Sequence, residues 1–454
     1  MDFANKSVTI EEAAEDPRQS LAHTGDYHEG ESLEQRAQGK ARESKKGNLF
    51  DLNYDKVIIA VGCYSQTFGT PGVKEHALFL KDVGDARKIR NRLLTCFETA
   101  ALPTTSNEMR KYLLNFAIVG GGPTGIEFSA ELHDFITQDL SRIYPELMKF
   151  VNISVYDVAP KVLSMFDEQL GKYAMQTLSR EGVKIKTSHH VAELRRGLPA
   201  PHQNIKDERT CWTLRTKEEG DIGVGMVVWS TGLQMNPFVE KALTKSFQLP
   251  ADGVDFSNNG PSHAISGGWI VKKHPKSGAI ITNDKLQVIL EPEIDPDKRR
   301  AVLKDVFALG DCALQEGTMF PATAQVAAQK AEWLGKRLNR GDIESKEFKW
   351  RDLGVMAYIG NYNAIMQSGR GRNVSGKLAW LIWRGAYLTK TVSLRNKVLI
   401  PIMWTLNWMF GRDTSRRFIC VHNSQLFRLT LDFRLLNSLK AIRDMLFSRQ
   451  LFWQ

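Results

Sequence analysis

Short apolar or alternating runs, each closed by small or turn-forming residues, punctuate the first three quarters of the chain. They are Val57–Ala60, Phe116–Val119, Val151–Tyr156, Met226–Trp229 and Val306–Leu309. Runs of this length bounded by turn residues predict buried strands. After Gly120 and again after Asp311 the pattern changes to a helical period, through about Leu140 and across PATAQVAAQKAEWLGKRL respectively. Strands alternating with helices predict an α/β fold with parallel sheet. In the last quarter the uncharged apolar run Val398–Phe410 has 13 residues and contains Pro401. A spanning helix needs about 20, so no bilayer crossing is predicted there.

The most specific local signal is FAIVGGGPTGIEFSAELHDF, Phe116–Phe135. Gly120, Gly122 and Gly125 form G-x-G-x-x-G between a predicted strand and a predicted helix, with Gly121 inside the turn and Pro123 and Thr124 opening the helix. Such glycines permit a tight turn, close backbone approach to a pyrophosphate, and close helix-to-strand packing. The helix amino end adds N–H groups and a positive dipole end, and proline suits its first turn. The next predicted strand ends at Asp157, where a carboxylate can accept from a ribose diol and repel a 2'-phosphate. This predicts a dinucleotide site that takes NADH over NADPH. The 32 residues from Gly125 to Asp157 exceed the usual spacing of about 20, and the segment running on from Leu140 to Phe150 accounts for the excess. The alternative is a coincidental glycine-rich turn.

Two further segments resemble each other: VIIAVGCYSQTFGTPGV, Val57–Val73, and MVVWSTGLQMNPFV, Met226–Val239. Each is an apolar strand leading to a glycine, Gly62 or Gly232, then a loop containing proline. A duplicated dinucleotide-binding fold produces this pattern. The fingerprint precedes Gly232 by 112 residues, and the same offset from Gly62 falls before Met1, so the first domain is expected to be incomplete in this chain. DVFALGDCA, Asp305–Ala313, adds a strand ending in Gly310-Asp311 before a helix. Asp311 is placed to hold a cofactor hydroxyl; the alternative is a turn or cap aspartate.

Composition changes the picture in one place. The chain has 454 residues with 61 Lys plus Arg against 51 Asp plus Glu, a formal charge of +10. From Arg351 onward there are 16 basic and 4 acidic residues, leaving 45 and 47 in the first 350. The basic quarter also holds Trp380, Trp383, Trp404, Trp408 and Trp453, half of the 10 tryptophans. Basic and aromatic residues interleaved with aliphatic runs suit an anionic membrane surface; the competing reading is a helical subdomain with its tryptophans packed inside. With no nucleic-acid reading module in the basic stretch, no nucleic-acid partner is expected. The five cysteines, Cys63, Cys96, Cys211, Cys312 and Cys420, lack metal or redox spacing and read as buried or incidental thiols. No metal site is expected, and His189 and His190 read as strand-end surface residues.

The fingerprint, DVFALGDCA, PATAQVAAQ and GAYLTKTVSLRNKVLIPIMWTLNWMFGRDTSR together resemble the type II (alternative, rotenone-insensitive) NADH:ubiquinone oxidoreductases of mitochondria, particularly fungal external forms, over about residues 1–417. DFANKSVTI resembles the hairpin within that family's flavin domain, and YDKVIIAVGCYSQTFGTPGV its closing strand. The resemblance implies a two-dinucleotide-binding-domain flavoprotein with Rossmann-like domains, FAD and NADH as cofactors, and nicotinamide stacked on flavin. Hydride would pass to FAD and two electrons to ubiquinone, without proton pumping. Carried over by motif, Gly120, Gly122, Thr124 and Gly125 would bind the NADH pyrophosphate and Asp157 its adenosine ribose. Glu127 would lie near nicotinamide and flavin, and Asp311 would bind the ribityl or phosphate region of FAD. Ala324 and Gln325 would meet the isoalloxazine edge, with Gln325 and Gln329 beside the quinone headgroup. Ala328 stands where many mitochondrial members carry His. The family context also implies a peripheral position on the mitochondrial inner membrane and a homodimer.

The expected organisation is 1–110 as the remainder of an FAD-binding domain, 111–240 binding NADH, 241–345 returning to the FAD-binding domain, 346–417 an amphipathic helical membrane-surface region, and 418–454 an atypical tail. Two other functions stay open: a truncated NAD(H)-binding protein without turnover, and a related flavoprotein that reduces a protein electron carrier.

Overall fold

The computed structural model describes residues 1–12, 47–199, 211–250, 252–256, 268–294, 300–369, 372–391 and 393–414. Trp453, Cys420, Arg417 and the expected tail 418–454 lie outside these residues. The described residues divide into two compact units: those up to Gln66 with those of 233–352, and those of 67–232 with those from Leu353 to 414.

The second unit is built on a five-stranded sheet in the order Leu78–Phe79, Met226–Trp229, Asn115–Val119, Asn152–Tyr156, Val183–Lys186. Every neighbouring pair is parallel. Sheets of this kind are covered on both faces, so their strands lack polar–apolar alternation. Phe116, Ala117, Ile118 and Val119 are accordingly all buried. Helix Val83–Ala101 starts at a capping box between Asp82 and Asp85 and buries Ile89, Leu93 and Phe97 in one core with Phe116 and Ile118. That packing corrects the expected boundary near residue 110: strand Leu78–Phe79 and this helix belong to the second unit, and the boundary falls between Gln66 and Thr67.

A three-stranded antiparallel sheet, Val355–Gly360, Asn363–Gln367 and Asn373–Gly376, also joins this unit. Its Ala357, Tyr358, Ile359 and Ile365 sit in the same apolar cluster as Phe116 and Ile126. Helix Lys377–Lys390 follows and stacks Trp383 on Tyr358 with ring centroids 5.5 Å apart. Helix Leu394–Phe410 is the last described element and contains Pro401. Among the described residues no helix is long and apolar enough to cross a membrane.

The first unit holds the sheet Val254–Phe256, Ala301–Ala308, Gln287–Pro292, Ile280–Thr282, Ala313–Gln315, with Val57–Ile59 lying parallel to the end of Ala301–Ala308. Ser7–Glu11 pairs antiparallel with Leu49–Asn53, in register from Ser7 opposite Asn53. The repeated segments found in the sequence correspond to matching pieces of chain: each strand passes its glycine into a second short strand, and those second strands, Cys63–Ser65 and Leu233–Met235, pair antiparallel. Helix Ala324–Arg340 starts at Thr323, whose hydroxyl accepts from the Val326 N–H, and stops at Gly341 in the left-handed region.

Candidate functional sites

In the second unit the fingerprint turn lies at the carboxyl ends of the central parallel strands, where ligands bind in open α/β sheets. Gly120 has φ +117°, and a Cβ there would run into the carbonyl of Ser230, at the end of the neighbouring strand. A Cβ on Gly125 would collide with the Gly120 carbonyl, which is the close helix-to-strand approach expected of the third glycine. A Cβ on Gly122 would meet nothing within 4 Å, so the backbone stands open where a pyrophosphate would approach. Gly122 is the residue before the helix Pro123–Phe135, with Pro123 in its first turn and Thr124 half-buried behind it.

Asp157 follows strand Asn152–Tyr156 and folds back on this turn. Its carboxylate accepts from the Gly121 N–H and, at 2.7 Å, from the Ala159 N–H. A Cβ on Gly121 would crowd both Asp157 and Val162, so a fourth glycine is needed here. A carboxylate offers about four lone-pair sites, and two remain for a ribose diol. The long gap between fingerprint and acid is filled by structure: the α-helix gives way to a π-helical turn, Ile136–Leu140, then Ser141–Ile143 and a 3-10 helix, Pro145–Phe150.

Glu127 lies one turn into the fingerprint helix and is 2% exposed. Its carboxylate accepts from the Tyr358 backbone N–H at 2.8 Å. Burial pushes this carboxyl up to about 8. The same helix carries Glu131, paired with Arg412 at 3.5 Å, and Asp134, which accepts from the Tyr358 hydroxyl at 2.5 Å. The residue expected near nicotinamide and flavin is engaged in seating the C-terminal sheet. The spacing of Glu127, Glu131 and Asp134 marks an acidic helix face in the sequence; their partners, more than 200 positions away, leave no local signal.

In the first unit Gly62 and Gly310 follow two adjacent parallel strands, both with positive φ. Asp311 comes next and lies 3.4 Å from the Cys63 thiol. A small cleft opens beside it, lined by Gly310, Asp311, Phe320, Thr323, Ala327 and Lys330 among others. The amino end of helix Ala324–Arg340 therefore faces the same space as the Asp311 carboxylate. Ala324 is exposed and Gln325 half-buried in that first turn. Gln329, one turn on, has its amide taken twice by the Arg351 backbone, donating to the carbonyl at 2.9 Å and accepting from the N–H at 3.0 Å. It acts as a clamp on that strand of chain. Gly232 lies in the other unit, where a Cβ would make only an ordinary 3.6 Å contact with Phe68.

Lys330 is the residue sequence reasoning missed here. It is 2% exposed, and burial lowers its ammonium pKa. Its Nζ sits 5.4 Å from the Phe320 ring centre and 6.0 Å from that of Phe348. The signal was available: Val326, Lys330, Leu334 and Arg337 make one helical stripe, and all four are buried. An acceptor carboxylate, a helix amino end and a buried ammonium at one cavity suit the sugar and phosphate part of a flavin dinucleotide, so the residues present fit FAD on this side. The four described cysteines are buried thiols. One group, His133 with Asp134 and Glu181, has the composition of a metal site, where the sequence reading expects none.

Residues 7–250 match the pyridine nucleotide-disulphide oxidoreductase family, and residues 353–413 match the NDH2 C-terminal domain. A Dictyostelium discoideum protein named "Probable NADH dehydrogenase" is 35% identical over 372 residues, covering 81% of this chain and 70% of its own. The chain belongs to the type II NADH dehydrogenases. Within the same family, the Arabidopsis thaliana external alternative NAD(P)H-ubiquinone oxidoreductase B4, mitochondrial, is 30% identical over 440 residues, covering 83% and 74%. The solved structure of NDH2 from Plasmodium falciparum in complex with NADH shares the fold with a TM-score of 0.63 at 21% identity, over 82% of this chain and 81% of that one. The family's C-terminal domain match coincides with the antiparallel sheet and two helices that close on Glu127 and Asp134.

Proposed function

We propose that this chain is a non-proton-pumping NADH:ubiquinone oxidoreductase. The observation that carries the reading is the joint match of both family segments to a chain whose fingerprint turn, Asp157 and Asp311 each stand at the carboxyl ends of parallel strands. The open backbone at Gly122 and the helix amino end behind it would bind the NADH pyrophosphate. Asp157 would hold the adenosine ribose and exclude a 2'-phosphate, which favours NADH. When bound, FAD supplies the two-electron acceptor that lies between NADH and the quinone. Asp311 would accept from its sugar hydroxyls, Lys330 would face its anionic part, and Ala324 and Gln325 would border the ring system. Glu127, neutral at pH 7, holds a proton inside the second unit. We assign Gln325 to the quinone side; Gln329 supports it by fixing the Arg351 backbone.

The two C-terminal helices support a peripheral membrane position. Leu378, Leu381, Leu394, Val398, Trp408 and Phe410 are all more than half exposed, among Lys377, Lys390, Arg395 and Lys397. Apolar side chains flanked by cations suit an anionic lipid surface, here that of the inner mitochondrial membrane. Trp380 and Trp383, by contrast, pack against Tyr362 and Tyr358, so the region is part packed subdomain, part surface. A homodimer is the proposed assembly.

Purified chain supplemented with FAD should oxidise NADH with a short-chain ubiquinone as acceptor and be inactive with soluble protein carriers. Activity with a carrier alone would identify a different reductase; NADH binding without oxidation would leave a binding protein.

A further inference from the structure

We infer that His133, Asp134 and Glu181 form a zinc site that fastens the C-terminal sheet to the fingerprint helix. The imidazole Nδ1 of His133 lies 3.6 Å from an Asp134 oxygen and 3.8 Å from Glu181 Oε2. One ligand atom from each of the three residues lies within 4.8 Å of the others. Both separations are too long for hydrogen bonds. His133 Nδ1 and Glu181 Oε2 are nonetheless fully shielded from solvent and have no hydrogen-bond partner. Buried polar atoms left this way cost stability unless something satisfies them. Among the described residues no lysine or arginine lies within ion-pair distance of Asp134 or Glu181, and the Arg412 charge reaches Asp134 only at longer range. A dication between the three groups would satisfy both orphaned atoms.

The surroundings are built for it. Asp134 is oriented by the Tyr358 hydroxyl and by the Asn361 N–H at 3.1 Å, as ligating carboxylates usually are. Gly360 has φ +90°, and a Cβ there would stand 2.8 Å from Glu181 Oε2 and 3.8 Å from Asp134. Its absence keeps the space over the two carboxylates clear. Zinc takes nitrogen and carboxylate ligands at about 2.0–2.2 Å, which the three groups reach by closing in a few tenths of an ångström. Among available divalent ions a mixed imidazole and carboxylate set binds zinc well above magnesium or calcium. His133 is 16% exposed, leaving an entry path and room for a water as fourth ligand. The three residues come from the end of the fingerprint helix and the end of helix Glu168–Arg180, and they meet under the turn at Gly360–Asn361. The ion would therefore join three elements of the second unit.

The test takes full-length chain stripped with a chelator, exposed to zinc ion alone, then desalted. Wild type should retain one zinc per chain and melt several degrees higher than the stripped form, while His133→Gln and Glu181→Gln retain none and gain nothing, with unchanged far-UV circular dichroism. His190→Gln, which sits by Glu218 elsewhere, should bind as wild type. Zinc K-edge absorption should show nitrogen and oxygen neighbours and no sulfur. Absence of zinc in wild type, equal retention in both variants, or sulfur ligation would overturn the assignment.

Discussion

Glu127 illustrates how much a single side chain depends on what covers it. In the sequence it is an ordinary polar residue two positions after a fingerprint glycine; in the fold it is sealed under Tyr358 and Trp383. Burial raises its carboxyl from 4.5 to about 8, so the folded state holds the proton more tightly than the unfolded chain does. The stability this contributes is complete below about pH 4.5 and is lost as pH rises through 8. Glu127→Gln keeps an acceptor for the Tyr358 N–H and has no proton to lose. Wild type should therefore lose unfolding free energy relative to the variant between pH 5 and pH 9, by on the order of a few kcal/mol. A pH-independent difference would contradict the burial account. Asp157 is a different case, legible because its place at a strand end beside the fingerprint turn follows from the sequence. Asp157→Ser should weaken NADH binding roughly tenfold and narrow the preference over NADPH. The ratio is the decisive readout, since loosening the Gly121 turn would affect both nucleotides equally. Lys330 was legible only as a position on a buried helical stripe, and the His133 group was not, because Glu181 and the turn at Gly360 lie elsewhere in the chain.

At the level of elements, the fingerprint strand and helix, the strand before Asp157 and the helix after Asp311 follow directly from apolar runs and glycines. The domain boundary did not, because Val83–Ala101 is an amphipathic helix whose partners, Phe116 and Ile118, lie beyond it in sequence. Periodicity gives the buried face of a helix but not the sheet that it covers. The C-terminal helices show the same limit. Composition pointed to a basic, tryptophan-rich surface, and the fold separates Trp380 and Trp383, which pack, from Trp408 and Phe410, which are 77% and 76% exposed. Trp408→Glu combined with Phe410→Glu should reduce co-sedimentation with phosphatidylcholine–phosphatidylglycerol vesicles several-fold without lowering the melting temperature. Unchanged partitioning would remove this face as the attachment surface. The helix after Asp311 is held at its amino end by Thr323, so Thr323→Ala should cost about 1 kcal/mol in chemical denaturation.

For the whole molecule, the +10 charge divides into a nearly neutral body and a basic last quarter, and the two units divide the chemistry. One carries the fingerprint turn with the C-terminal domain; the other carries Asp311, Lys330 and the cleft beside them. The division by units is discontinuous, with the described residues of each unit drawn from separate stretches of chain, and only the Gly62 and Gly232 repeat hinted at it. Function at this scale rests on coupling two half-reactions, and one measurement tests it most directly. Flavin-supplemented protein is placed on sealed vesicles that contain ubiquinone and a trapped pH indicator, and NADH is added outside. The expected result is one quinone reduced per NADH oxidised, with no proton accumulation inside. NADH oxidation without quinone reduction, or quinone reduction accompanied by lumenal acidification, would contradict it.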